Sequence, residues 1–186
     1  MLFIFSITLT KVSFSNDVIK ITNKITASTL KEKRKEIVKL VREGSKKITL
    51  KLNSDGGDLL ASIQFVDFIR NFIQPIAHIT TYVSSRCSSA CTVLFTAGQS
   101  REVKRYASFM FHTPKISSSN IPLSIEREKD LLLQARQSWL EKVSQVDLLL
   151  SEKLRNKKIL EADYDFYFWP KSLKTGYITK VIKRRN

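Results

Sequence analysis

Ser84-Ser-Arg-Cys-Ser-Ser-Ala-Cys-Thr-Val-Leu-Phe-Thr-Ala-Gly98, continuing through Gln99-Ser-Arg-Glu-Val-Lys-Arg-Tyr-Ala-Ser-Phe-Met-Phe-His-Thr-Pro114, is the stretch whose reading decides the fold. It reads as a loop of small polar residues, an apolar helix, a turn at Gly98 and a strand ending on His112. A small hydroxyl residue at the mouth of a buried helix can be held as a nucleophile against an oxyanion site. Ser89 has that position. His112, at the end of the following strand, is a candidate general base.

Upstream, Ile76 to Val83 reads as a strand, and Leu59, Ile63, Val66, Ile69 and Ile73 recur near helical spacing before it. Before that helix, the short strand Ile48 to Leu52 runs into the polar turn Asn53-Ser54-Asp55-Gly56-Gly57-Asp58. The first helix is capped by Ser28-Thr29, with Glu32 as capping-box partner, and stops at Gly44. Its Leu30, Ile37, Val38, Leu40 and Val41 face inward, and its Lys31, Lys33, Arg34 and Lys35 face outward. Asp17 to Thr26 alternates as a first strand. Short apolar strands alternating with helices imply an α/β fold with a mainly parallel sheet. Ligand-binding residues in such sheets gather at the carboxyl ends of strands. The Gly56-Gly57 turn and the Ser89 loop both fall at such ends.

Downstream, Ser117 to Asn120 is a polar break. A long helical pattern follows, an arm over about residues 122–158 made of one or two helices. The tail begins acidic and aromatic, from Asp163 to Trp169. Pro170 opens a short helix ending at Gly176, and Tyr177 to Ile182 is a last strand.

With 186 residues the chain suits one domain, over residues 16–186. Its formal charge of +15 favours acidic partners, an anionic membrane surface among them. No interleaving of aromatic and basic residues and no nucleic-acid-binding motif accompanies that charge, so no specific nucleic acid is expected. The basic run near Lys33 is most simply a solvated helix face. Met1 to Ser15 is apolar and hydroxylated, and Leu2 to Leu9 has the length of a secretory h-region. Ser13 and Ser15 offer small residues for cleavage. The expectation is an export leader and a periplasmic or otherwise exported protein. Without a leader the protein would be cytoplasmic.

Cys87 and Cys91 admit several readings. Two reduced, buried thiols come first, as the commonest outcome for such a pair. A disulfide follows if the protein is exported. A zinc site with His112 lacks a fourth ligand, and a catalytic cysteine is a minor option. No metal or cofactor is expected. His78 reads as structural.

On these residues the chain resembles the proteolytic subunit of the Clp protease and its relatives, within the crotonase-like fold, from about Asp17 to Ile182. Leu52 to Gly57 is similar to the family's strand and Gly-Gly turn, with Asp55 where proline is usual. Ser85 to Gly98 is similar to the nucleophile segment, and Arg105 to Pro114 to the segment carrying the base. Asp165 to Phe168, before Gly176, looks like the segment carrying the third member. The resemblance is closest to exported Clp-like proteins with a Cys-x-Ser-x-Cys segment, whereas the usual subunit has glycine at the position of Cys91. It implies repeated β-β-α and βαβ units with a long C-terminal helical arm. It further implies a catalytic triad of Ser89, His112 and Asp165, with Asp163 as the alternate, and an oxyanion hole from the N–H groups of Gly57 and Ala90. The implied activity is a serine peptidase or hydrolase acting on peptides or proteins as a homo-oligomer. An exported chain would have no ATP-driven unfoldase at hand. The alternative is an inactive Clp-like scaffold that binds peptide in the cell envelope.

Overall fold

The computed structural model describes residues 17–115, 124–162 and 164–183. The expected leader, the break at Ser117 to Asn120, and Asp163 lie outside the described residues.

The first strand, β1 (Asp17–Ile25), pairs in parallel with β2 (Lys47–Gly57), and β2 pairs in parallel with β3 (His78–Ser88). Burial alternates along β1 and β2, so Ile19, Ile21, Ile48, Leu50 and Leu52 point to one face. Helices α1 (Ala27–Arg42) and α2 (Leu59–Phe68) supply the crossovers, and α2 continues into a π-helical turn over Ile69–Ile73. The cap of α1 is Thr26, not Ser28-Thr29, because Thr26 Oγ1 accepts the N–H of Thr29 at 3.1 Å. Asp58 caps α2 in the same way, accepting from Ala61 N–H at 2.9 Å.

The segment read as a polar loop is instead the second half of β3. The first half of β3 pairs with β4 (Ser100–Lys104), and the second half, Arg86 to Ser88, pairs with β5 (Ser108–Phe111). Within this second half Cys87 and Ser88 are buried, and Cys87 pairs with both β2 and β5. The strand expected to end at His112 is thus split in two, and His112 lies one residue beyond β5. Between β3 and β4 sits the short helix α3 (Ala90–Phe95), every residue of which is buried.

The arm is two helices, α4 (Ile125–Ser144) and α5 (Leu148–Asn156). Asp147 separates them. Its carboxylate accepts from Leu150 N–H at 2.9 Å, capping α5, and from Tyr177 N–H at 2.9 Å. Two short strands complete the sheet. β6 (Phe166–Phe168) runs antiparallel to β5, and β7 (Lys180–Ile182) runs parallel to β4. The sheet order is β1-β2-β3-β4-β7, with β5 and β6 branching from β3. The buried guanidinium of Arg101 ties the tail to β4 by donating to the carbonyls of Gly98, Gly176 and Tyr177 at 2.7–2.9 Å. Burial lowers the Arg101 pKa from its usual range.

Candidate functional site

Ser89 occupies a sharp turn between β3 and α3, with φ 55° and ψ −127°. A non-glycine residue in this left-handed region is strained and persists only where its surroundings enforce it. Here they do. Ser89 N–H donates to the Met110 carbonyl of β5 at 2.8 Å. The Ser89 carbonyl accepts from the Thr92 N–H at 2.9 Å and from the Thr92 hydroxyl at 2.8 Å. The side chain is left half-exposed at the end of the strand.

His112 meets it there. The Ser89 Oγ and His112 Nε2 are 2.7 Å apart, a hydrogen bond between residues 23 apart in sequence. The β3–β5 pairing brings them together, because the Ser88–Met110 pair precedes each by one or two residues. The imidazole stands edge-on to Trp139 of α4, with ring centres 6.2 Å apart. Trp139 is fully buried and donates its indole N–H to Thr92 Oγ1 at 3.0 Å. Tyr177 donates to the Thr92 carbonyl at 2.6 Å. Burial raises the Tyr177 pKa well above its usual value, so the phenol stays a neutral donor.

Gly56 and Gly57 face different neighbours. A Cβ on Gly56 would lie 2.6 Å from Ser89 Cβ and 3.2 Å from Ala90 N. A Cβ on Gly57 would lie 2.0 Å from the Ile25 carbonyl of β1. Gly56 therefore lets the β2 turn approach Ser89 and the Ala90 amide, and Gly57 lets it approach β1. Ser54, buried beneath the turn, accepts the Gly56 N–H at 3.0 Å and donates to the Asn23 carbonyl. Beside the turn is a cavity of about 500 Å³ lined by Asn53, Asp55, Gly56, Gly57 and Arg86. Asp55 pairs there with Arg86 of β3 at 2.8 Å.

Cys87 and Cys91 are joined as a disulfide, not the reduced pair ranked first from sequence. The turn at Ser89 folds the start of α3 back on β3 and brings the two Cα atoms to 5.2 Å, within bridging reach. Both cysteines are buried, and the bond leaves neither sulfur free to bind zinc or to attack a substrate. The Cys91 side chain is thus directed to Cys87.

Asp165 is placed differently. Phe111 pairs with Phe166 in the antiparallel β5–β6 ladder, so continuing the register by one residue sets Asp165 opposite His112. Asp165 is exposed, and no hydrogen bond joins it to His112 among the described residues. Thr113, next to His112, donates to the Ala162 carbonyl at 2.6 Å. Asp163 is not described. His78 bonds Ser100 at 2.9 Å on the exposed side of the sheet.

Sequence reasoning placed the Gly56-Gly57 turn at the site but gave no role of its own to Gly56, Ser54, Thr92, Trp139 or Tyr177. The first three lie inside motifs that it quoted. Trp139 and Tyr177 carried no signal, since one reads as part of an apolar helical stripe and the other as part of a last strand.

This arrangement of strands and helices has counterparts among known proteins. The sequence profile of the Clp protease family matches residues 5–185, and the chain belongs to that family. Among solved structures it is similar to the ClpP1 N165D mutant from Listeria monocytogenes, with 20% sequence identity and a TM-score of 0.75 over 90% of this chain and 92% of that one. That likeness establishes a ClpP fold. No curated protein sequence matches the chain.

Proposed function

We propose that the protein is a serine peptidase in which Ser89 is the nucleophile and His112 the general base. The observation that carries this is the 2.7 Å contact between Ser89 Oγ and His112 Nε2 on a turn held at positive φ. Ser89 Oγ attacks a peptide carbonyl while its proton passes to His112 Nε2. The tetrahedral oxyanion takes hydrogen bonds from the N–H groups of Ala90, at the start of α3, and Gly57. Its collapse expels the amine, which takes the proton from His112. Water, deprotonated by the same imidazole, then releases the acyl group. Asp165 orients the imidazole, its register opposite His112 supporting that role. The substrate is an extended peptide, and the chain works as a homo-oligomer outside the cytoplasm.

A second reading, a Clp-like scaffold without activity, is favoured by the exposed Asp165, which has no hydrogen bond to His112 among the described residues. Fluorophosphonate labelling separates the two. Wild type should label, and Ser89→Ala and His112→Ala should lose labelling by about 10³-fold or more. A folded wild type that does not label is the scaffold.

A further inference from the structure

A cavity of about 690 Å³ lies away from Ser89, along β7 and beyond the carboxyl end of β4. Arg105, Lys171, Lys174, Lys180 and Lys183 line it, and no acidic residue does so among the described residues. Lys180 reaches Glu102 outside the lining at 3.3 Å. Tyr106 and Trp169 also line the groove and stay exposed, at 77% and 56%. Ile178, Val181 and Pro170 contribute apolar surface. The sequence conceals this mixture of cations and aromatics, because Arg105-Tyr106 and Trp169 to Lys183 are brought together only by the fold.

We propose that this groove binds an acidic, partly apolar polypeptide segment in an extended conformation. Charge complementarity selects an acidic partner, since the groove is cationic and the whole chain carries +15. The same cationic groove on a second copy would be repelled. Two further features select a polypeptide among anions. The apolar surface suits side chains between the carboxylates, and β7 has a sheet neighbour, β4, on one side only among the described strands. An edge strand offers backbone N–H and C=O groups that pair with another peptide. A phosphate chain cannot complete such a ladder, and a flat bilayer does not enter a groove. The groove is separate from Ser89, so the proposal stands whether or not the serine is active.

The test uses the full chain carrying Ser89→Ala, so that bound peptide is not cut, and a fluorescent peptide of alternating Glu and Leu. Anisotropy titrations compare Lys171→Glu with Lys174→Glu in the groove against Lys31→Glu with Lys35→Glu on the exposed face of α1, an equal change in charge. The groove pair should weaken binding about tenfold or more, and the α1 pair by less than about threefold. Trp169→Ala, which leaves the charge unchanged, should weaken it severalfold and carries the test if the double variant does not fold. Equal losses in the two charge pairs, or no loss with Trp169→Ala, overturn the proposal. So does an oligothymidylate or a phosphatidylserine vesicle that binds as tightly as the peptide with the same groove dependence. Fluorophosphonate labelling of the groove variants with Ser89 intact should equal that of wild type, which separates this result from the fate of the peptidase reading.

Discussion

The turn that carries Ser89 and the segment that carries Asp165 are built in different ways. The turn lies between two buried elements, closed by a disulfide and by hydrogen bonds from β5 and α3 to the backbone of a single residue. Asp165 precedes a three-residue strand at the margin of the sheet and is exposed. One half of the candidate site is fixed before any ligand arrives, and the other rests on a short ladder. In the roles proposed above, the nucleophile has its strained geometry enforced, whereas the orienting carboxylate is left to be drawn in as a peptide covers the site.

The comparison breaks most visibly at Gly56. Overpacking and backbone strain each cost about 1–3 kcal/mol, and Gly56→Val incurs both, at φ 103° and with Ser89 already in the way. We expect little folded protein in thermal melts and no labelling in what remains. Trp139→Ala should cost about 3–5 kcal/mol in denaturant titrations, as loss of a large buried ring does. Trp139→Phe keeps the ring and removes the donor to Thr92, so it should cost only about 1 kcal/mol while still slowing labelling. Replacing Cys87 and Cys91 together with alanine opens a loop closed over a separation of 4 residues, which chain entropy sets at about 2 kcal/mol. Labelling should fall with it if the bridge helps hold Ser89. An unchanged labelling rate would show that hydrogen bonds alone suffice. The smallest effect on stability is expected at Asp165→Asn, within about 0.5 kcal/mol for an exposed residue. Its labelling rate should drop, but by less than the roughly 10⁴-fold that this change costs where the carboxylate already holds the histidine. A drop as large as that of His112→Ala would mean that Asp165 closes fully on the imidazole, and no drop would remove it from the site.

The same contrast governs what could be read from sequence. The β-α-β-α-β order, the Gly-Gly turn and the placement of Ser89 and His112 at strand ends were legible because each is written in local periodicity and short-range turn chemistry. The division of β3 between β4 and β5 was not, since a strand that changes partners looks like any other polar strand end. The cap of α1 was read two residues late because Thr26, Ser28 and Thr29 are all good caps, and only the geometry selects one. The disulfide was ranked behind free thiols because the fold-back at Ser89 that makes it reachable is a left-handed residue that no propensity announces. Trp139, Tyr177 and the basic groove depend on contacts across many tens of residues.

The hydrogen bond from Tyr177 to Thr92 spans 85 residues, and those from Arg101 to the carbonyls of Tyr177 and Gly176 span 76 and 75. During synthesis the Ser89 turn emerges long before these braces exist. Contacts of such separation form late because the intervening chain must first be ordered. The hydroxyl at the centre of the candidate site therefore acquires its final setting only after the tail has docked. A nascent or truncated chain would carry the serine without the frame that aims it, so the order of translation itself leaves the candidate site unframed until the tail is made.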